Sequence, residues 1–193
     1  VDLGLVNNRI KFSADFYKRT TDDLIMPIEI GPTVGNILRN VGSMENKGVE
    51  FTLNTVNVKN DNFNWNTNFN ISFNKSKINA LYYMPIKDEV PIEGIGNKIV
   101  RFTKGQPLSV FYGYKMIGIY MNKADLDNNP HTSNSHVGDV KFEDINKDGT
   151  IDANDRTIIG NNMPDFTWGM SNSFTYKNFD LNIMLQGVHG SEV

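Results

Sequence analysis

The sequence contains no cysteine, three histidines and no long apolar run, and these shortages exclude several classes of protein. Without cysteine there is no disulfide bond, no thiolate catalysis and no cysteine-ligated zinc site. No hydrophobic stretch approaches the roughly 20 residues of a membrane-spanning helix, and no signal peptide opens the chain. The net charge is −3, with both signs dispersed along the sequence, so nothing indicates nucleic acid as a partner.

Aromatic residues and asparagine are abundant, and they alternate most regularly between Phe63 and Asn74. One parity of this segment is mostly aromatic or apolar, namely Phe63, Trp65, Thr67, Phe69, Ile71 and Phe73, and the other carries only asparagine and serine. Successive side chains of a strand point to opposite sides of the sheet. The pattern therefore predicts a strand with one apolar face and one polar, uncharged face.

The same alternation recurs along the chain and predicts an all-β fold of six antiparallel, up-and-down strands. These strands are expected at roughly 1–6, 9–19, 44–56, 63–75, 166–176 and 179–189, which group as 1–19, 44–75 and 166–189. The short connections are Asn7–Asn8, 57–62 and 177–178, and the long ones are 20–43 and 76–165. Asparagine tolerates positive φ, so Asn7–Asn8 suits a tight turn. All short turns then fall at one end of the sheet and all long loops at the other.

Two kinds of protein produce this alternation. In an outer-membrane β-barrel the apolar face meets lipid, the polar face lines a wet lumen, and long loops gather on the external side. In a secreted soluble β-sandwich, which would bind carbohydrate or an adhesion partner with a structural calcium site, the apolar face is the core. The segregation of short and long connections favours the barrel. Six strands cannot close a large barrel, so we expect residues 1–193 to be a segment of a larger protein. We do not expect this segment to fold alone.

Four stretches in the same order resemble SusC/RagA-type TonB-dependent outer-membrane transporters, in the C-terminal part of their barrel. They are Asn40–Glu50 ("N-x-G-x-x-x-N-K-G-V-E"), Gln106–Leu108 with Tyr112–Tyr114 and Gly118–Tyr120, Gly138–Phe166 ("GD-x-x-F-x-D-x-N-x-DG-x-I…DR…IG…P-x-F"), and Tyr176–Leu181 with Gln186–Gly187. The resemblance covers nearly the whole chain.

The resemblance implies a large barrel of the 22-stranded class in the outer membrane of a Gram-negative, Bacteroidetes-like bacterium. Such a protein is not an enzyme. It would import an oligosaccharide or peptide substrate with energy from TonB, which would contact an N-terminal part that this chain lacks. The expected partners are outer-membrane lipid around the barrel and a SusD-like surface lipoprotein over its external face.

One stretch in the longest predicted loop, residues 144–155, has the spacing of an EF-hand calcium loop. The expected oxygen ligands at loop positions 1, 3, 5, 7, 9 and 12 are Asp144, Asn146, Asp148, the Thr150 carbonyl, Asp152 and Asp155. Gly149 permits the sharp turn at position 6. We expect a structural Ca²⁺ site of weak affinity without flanking helices, while an ordinary Asx-rich turn remains the alternative.

The "YGY" segment offers aromatic faces that could stack on sugar rings or peptide side chains. Tyr112, Tyr114 and Tyr120 are therefore candidate substrate contacts, and a purely structural role is the alternative. No combination of residues predicts a catalytic site: His131, His136 and His189 are scattered, and chain order alone does not establish a nucleophile–base pair.

Overall fold

Antiparallel strands dominate the protein. The computed structural model describes residues 1–29, 36–81, 89–91 and 100–192. The strands are β1 (Asp2–Leu5), β2 (Ile10–Glu29), β3 (Asn36–Lys59), β4 (Phe63–Leu81), β5 (Glu89–Pro91), β6 (Val100–Thr103), β7 (Val110–Tyr114), β8 (Met116–Ile119), β9 (Val140–Phe142), β10 (Arg156–Asn161), β11 (Phe166–Tyr176) and β12 (Phe179–His189). A helix α1 (Lys123–Asp127) and a 3₁₀ turn (Ala153–Asp155) complete the described elements. None of these helical segments is long and apolar enough to cross a membrane.

Six of the strands form one antiparallel sheet in the order β1-β2-β3-β4-β11-β12, with β1 and β12 at its open edges. The predicted all-β, up-and-down fold is therefore confirmed. The turn after β1 uses positive φ at Val6, Asn7 and Asn8, in agreement with the asparagine signal. Lys177 has φ 52° in the two-residue turn that joins β11 and β12.

The register of this main sheet aligns apolar side chains into rows across its strands. One row runs through Leu3, Phe12, Leu53, Phe69, Met170 and Leu185, and another through Phe16, Val49 and Phe73. Aromatic contacts tie neighbouring strands together on this apolar face, with Trp65 stacked on Phe174 at a ring-centroid distance of 5.5 Å and Phe73 against Phe166 at 5.6 Å. Cross-strand pairs of this kind stabilise a sheet and fix its register.

A cluster of polar side chains interrupts the apolar face near the short turns. A bulge between Val56 and Val58 accompanies it, and here the Asn57 amide donates to the Thr67 hydroxyl at 2.7 Å. Asn172 Oδ1 accepts from Thr67 at 2.7 Å and from the indole N–H of Trp65 at 3.0 Å. These hydrogen bonds pair several of the polar groups with one another, which lowers the cost of placing the cluster on an apolar surface.

Many side chains on the apolar face remain exposed. Phe16 is 70 % exposed, Phe179 77 % and Leu181 56 %. In a soluble sandwich a second sheet would cover such residues. Among the described residues of the main sheet, the buried hydrophobic side chains are Ala14, Ile78 and Leu81. The face is therefore built to meet another apolar phase.

The strands of the main sheet are longer than the alternation predicts. The predicted ends of the last two strands agree with β11 and β12, but β2, β3 and β4 continue through 20–29, 36–43 and 76–81, which were expected to be loop. The pairing tolerates a bulge at Thr21–Leu24, where Asp23 adopts φ 58°. Alternation of apolar and polar residues depends on the environment of the two faces of a strand. The hydrogen-bond ladder between strands needs only backbone partners, so a strand can continue beyond the residues that alternate. Residues 30–35, also within the predicted 20–43 loop, lie outside the described residues.

The predicted long loop 76–165 contains secondary structure of its own. β10, β7, β6 and β5 form a four-stranded sheet in that order, and β8 pairs with β9. Val100, Val110, Tyr120, Ile151 and Asp155 are buried in this segment. We call residues 100–165 the outer segment; residues 82–88 and 92–99, in the same predicted loop, lie outside the described part of the chain.

One glycine of the main sheet gives a test of its register. Gly48 lies under the Tyr17 ring, and a Cβ at Gly48 would lie 2.7 Å from two ring carbons of Tyr17. The Tyr17 hydroxyl donates to Asn74 Oδ1 on the next strand but one. Valine normally favours strands over glycine. Here we expect Gly48→Val to lower the thermal unfolding temperature of the intact protein, since the ring must move off its hydrogen bond. The double variant Tyr17→Ala/Gly48→Val should recover part of the loss, and a stabilising Gly48→Val would contradict the register.

Candidate functional site

The polar face of the main sheet presents aligned, uncharged side chains. Asn54, Asn68 and Ser171 lie in register on β3, β4 and β11, and the Asn68 amide donates to Asn54 Oδ1 at 2.5 Å. The next row on this face contains Thr52, Asn70 and Gly169. Amide and hydroxyl groups supply both donors and acceptors without a net charge. The surface therefore suits neutral hydrophilic solutes and water.

A groove of about 430 Å³ lies toward the short-turn end of this face. Its lining residues are Asn8, Arg9, Lys11, Asn54, Thr55, Val56, Asn66, Thr67, Asn68, Ser171 and Ser173. The Arg9 guanidinium donates to the carbonyls of Val56, at 3.0 and 3.2 Å, and Asn57, at 2.9 Å. The Arg9 guanidinium thus closes the bulge of β3 through hydrogen bonds to carbonyl oxygens, and Lys11 is a second exposed cation at the groove.

Carboxylates appear on the polar face farther from the short turns. Asp15 and Glu50 are directly paired across β2 and β3. The Ser13 hydroxyl donates to Asp15 at 3.4 Å and the Ser72 hydroxyl donates to Glu50 at 3.3 Å. From the short turns toward the long loops, the polar face of the main sheet therefore carries first a basic groove, then neutral amides and then a pair of acids.

The outer segment is attached to the main sheet by backbone hydrogen bonds at the end of β4. The Ile78 N–H donates to the Gln106 carbonyl at 2.9 Å, and the Gly105 N–H donates to the Ile78 carbonyl at 2.8 Å. The Leu108 N–H also donates to the Ser76 hydroxyl at 3.3 Å, and both Ser76 and Ile78 are buried. These bonds fix the outer segment beside the long-loop end of the polar face.

Tyr112 and Tyr114 share one side of β7 in the outer segment, and each contacts a guanidinium group. The Arg101 Cζ lies 3.5 Å from the Tyr112 ring centroid, and the Arg156 Cζ lies 5.2 Å from that of Tyr114. Tyr114 also contacts Phe142 at 5.2 Å between centroids. The sequence does not reveal these arginine partners, because they depend on the register of β6, β7 and β10. The role of both tyrosines as substrate contacts stays a prediction.

The structure does not favour the predicted contact of Tyr120 with substrate. Its side chain is 1 % exposed, and its hydroxyl donates to the Pro130 carbonyl at 2.5 Å. Burial raises the pKa of Tyr120 above its usual value of 10.0. Beside it, Lys141 forms an ion pair with Asp125 at 2.5 Å, which joins β9 to α1. Tyr120 is a core residue of the outer segment, where spacing alone could not distinguish it from an exposed aromatic.

The predicted calcium loop adopts a compact turn in which acidic side chains accept backbone N–H groups. Asp144 accepts from Lys147 at 2.6 Å and from Gly149 at 2.8 Å. Gly149 has φ 86°, as the sharp turn at position 6 requires. Among the described residues, strand β9 precedes the loop and the short 3₁₀ turn ends it, so no helix pair of the EF-hand type flanks it.

Asp155 is the buried anchor of this loop. It is 0 % exposed and accepts N–H groups of Asp152 at 2.7 Å and Ile145 at 2.9 Å. These bonds, the one from Asp152 foremost, lower the pKa of Asp155 below the usual 3.8. Asp152 in turn caps the 3₁₀ turn by accepting from the Asn154 N–H at 2.7 Å. One loop is therefore closed at both ends by carboxylates.

The loop supplies a donor set suited to a hard cation, but its acids are engaged with the backbone. Asp144, Asp148, Asp152 and Asp155 contribute carboxylates, and Asn146 and the Thr150 carbonyl would add neutral oxygens. Among the described residues, no three His, Cys, Asp or Glu side chains are grouped as a ready-made metal site. The exposed Asp148 side chain accepts the Thr150 N–H at 2.9 Å, and its carboxylate keeps further lone pairs with which it could bind a cation.

Comparison with known proteins gives a consistent result. The family described as "TonB dependent receptor-like, beta-barrel" matches residues 1–179. TonB-dependent receptors P26 and P3 of Formosa agariphila are each 36 % identical, over alignments that cover 100 % of this chain and 20 % of each receptor. TonB-dependent receptor SusC of Bacteroides thetaiotaomicron is 29 % identical over 96 % of the chain and 18 % of SusC.

A solved structure has the same fold. The RagAB peptide importer in its "closed-closed" state aligns with a TM-score of 0.74 and 23 % identity, covering 98 % of this chain and 20 % of the matched chain. The chain thus spans about one fifth of the length of the proteins that it matches.

The buried carboxylate of Asp155 is expected to make the loop at residues 144–155 sensitive to acid. Because the folded-state pKa is lowered, the ionised form stabilises the loop at pH values above the unfolded pKa of about 4. This contribution is lost as the pH falls through the folded-state pKa. In EDTA-containing buffer we expect proteolytic nicking within 144–155 to increase below about pH 4. Asp155→Asn should be nicked already at neutral pH and lose this pH dependence, whereas the exposed control Asp127→Asn should behave like wild type. Equal protection of wild type and Asp155→Asn would contradict the anchoring role.

Proposed function

Because this chain belongs to the β-barrel family of TonB-dependent receptors, whose barrels lie in the outer membrane, we propose that it forms wall and external loops of an importer of glycans or peptides. RagAB, which shares its fold, is described as a peptide importer. The sequence resemblance to SusC/RagA-type transporters adds glycans to the possible substrates. The role is one of transport and not of catalysis.

The observation that carries this proposal is the two-faced main sheet. One face aligns apolar residues over six strands and leaves them exposed, as lipid contact requires. The other aligns asparagine, serine and threonine, as a wet lumen requires. An uncharged lumen wall binds a neutral solute weakly at many points, so the solute can move past it. The groove beside Lys11 and the acids Asp15 and Glu50 would then flank this neutral zone.

The partners proposed for the whole receptor follow from the same family. TonB would supply energy through a part of the receptor outside this segment. A SusD-like lipoprotein would cover the external side, where the outer segment lies next to the end of β4. Tyr112 and Tyr114 are the side chains of this segment that we propose for substrate contact, with the ring face of Tyr112 turned away from Arg101 as the stacking surface.

Two adjacent residues at mid-height test which face meets lipid. Phe69 belongs to the apolar face of β4 and Asn68 to the polar face. An arginine at the middle of the lipid face of a barrel costs about 2–4 kcal/mol. In the full-length receptor we expect Phe69→Arg to reduce the folded, heat-modifiable fraction in outer-membrane preparations. Asn68→Arg, at the same depth, should be nearly neutral. Tolerance of both arginines, or a larger loss from Asn68→Arg, would reject the assignment of faces.

Import is tested in the cell. A strain without the receptor should lose uptake of a particular glycan or peptide fraction, and expression of the wild-type receptor should restore it. Peptide pools and neutral oligosaccharide pools, labelled separately, distinguish the two substrate classes. Unchanged uptake of both pools in the deletion strain would reject the proposed transport role.

We further propose that residues 144–155 bind Ca²⁺ as a structural staple of the outer segment. Asp144, Asn146, Asp148, the Thr150 carbonyl, Asp152 and Asp155 would hold the ion, which would offset the mutual repulsion of four carboxylates. Support comes from the EF-hand spacing, the positive φ of Gly149 and the burial of Asp155. The site would contribute rigidity to the external loop and no chemistry to transport.

Calcium titration of the EDTA-treated receptor tests this proposal. Calorimetry should give a Kd on the order of 10⁻⁴ M, as in extracellular modules, and Ca²⁺ should protect 144–155 from protease. Asp148→Asn should weaken binding at least tenfold, because it removes a charged ligand that is not the loop anchor. Asp127→Asn removes one carboxylate from α1 and should leave binding unchanged. Absence of protection, or equal Ca²⁺ affinity in Asp148→Asn, would reject the site.

A further inference from the structure

Three lysines occupy one row of the main sheet, immediately beyond its apolar band. Lys18 pairs with Lys47, and Lys47 pairs with Lys75, on the adjacent strands β2, β3 and β4. The neighbouring row on the same face, one side-chain repeat nearer the short turns, consists of Phe16, Val49 and Phe73. No bulge separates the two rows. All three lysines are exposed. We call Lys18, Lys47 and Lys75 the lysine row.

The lysine row lies at the height where a lipid bilayer ends. On β4 the apolar face extends from Phe63, beside the short turn, to Phe73. Ten residue steps at about 3.3 Å give roughly 33 Å along the strand. A tilt of roughly 40° converts this length to a height of about 25 Å, which is the height of the apolar band of outer-membrane barrels. Lys75 follows one side-chain repeat later, at the end of the sheet opposite the short periplasmic turns.

Carboxylates of the described residues balance only part of the charge of this row. Glu45 forms a salt bridge with Lys18 at 2.7 Å. Neither Lys47 nor Lys75 has an ion-pair partner among the residues that the structure describes. Lys77, which is paired with Glu45 across β3 and β4, adds a fourth cation. Like charges directly opposite each other destabilise a sheet, so the arrangement favours an anion at this position.

We propose that the lysine row binds phosphate groups of the glycolipid that forms the outer leaflet of the outer membrane. This inference rests on the proposed function, since it requires the apolar face to meet lipid. The acyl chains would lie against Phe16 and Phe73, and the phosphates would lie one row above, within reach of the ammonium groups. Each lysine near an anionic membrane surface strengthens binding, by roughly fivefold. The flexible lysine stems allow the charges to follow a headgroup that moves in a fluid leaflet.

The test compares lipid binding by charge-neutral and charge-retaining variants of the full-length receptor in neutral detergent. The probes are lipid A with its phosphates and the same lipid A after dephosphorylation, each titrated by microscale thermophoresis. Wild type should bind the phosphorylated form at least tenfold more tightly, and this preference should shrink between 50 mM and 500 mM salt. The triple variant Lys18→Gln/Lys47→Gln/Lys75→Gln should lose the preference, and the corresponding triple arginine variant should keep it.

A matched control removes the same number of charges elsewhere. Lys59, Lys123 and Lys177 are exposed lysines off the lysine row, and their triple glutamine variant should retain the preference for phosphorylated lipid A. Retention of the preference by the lysine-row variant, equal binding of both lipids by wild type, or complete competition by millimolar inorganic phosphate would overturn the proposal. Heat-modifiable electrophoresis separates this failure from a failure of the proposed function, because a folded barrel that ignores phosphate would refute only the lipid site.

Discussion

The pairing register of six strands is the constraint on which this structure depends. In lipid, every backbone N–H and C=O must be satisfied by a neighbouring strand, since no water is available. A slip of one residue would turn every aromatic side chain of a strand to the polar side. Here the rows through Phe69 and Phe73 stay in phase across the sheet, and cross-strand contacts such as Trp65 on Phe174 resist a slip. Register thus determines both what the wall faces outside and what it offers inside.

Much of the main sheet could be predicted from the sequence, because alternation reports environment residue by residue. The hairpin of β11 and β12 agrees with its predicted ends, since alternation persists up to a two-residue turn at Lys177. The ends of β2, β3 and β4 could not be predicted in this way. Beyond Lys18 and Lys47, polar residues such as Arg19, Asn46 and Glu45 break the regular alternation while the backbone ladder continues.

The outer segment was less predictable, for a different physical reason. Its small sheets are held by pairings between distant short strands, such as β7 with β10, which no local period encodes. Tyr120 and Tyr114 look equivalent in sequence, yet one is buried against the Pro130 carbonyl and the other lies beside Arg156. By contrast, the turn at 144–155 was predictable, because glycine and acidic residues at fixed spacing specify local hydrogen bonds. Whether this loop binds an ion depends on the free energy of binding, which the spacing of residues in the sequence does not determine.

The two ends of the apolar face differ in chemistry, and this difference gives the wall a direction. Near the short turns the face carries Trp65 and the hydrogen-bonded amides and hydroxyls around Asn172, which are uncharged. At the opposite end it carries the lysine row, whose charge exceeds that of Glu45. The outer membrane has the same asymmetry, because its outer leaflet is rich in phosphorylated glycolipid. With the proposed lipid site, a wall with hydrogen-bonded polar groups at one interface and an excess of cations at the other would be stabilised in one orientation. The distribution of charge along three strands would then reinforce the proposed placement of the long loops on the external side.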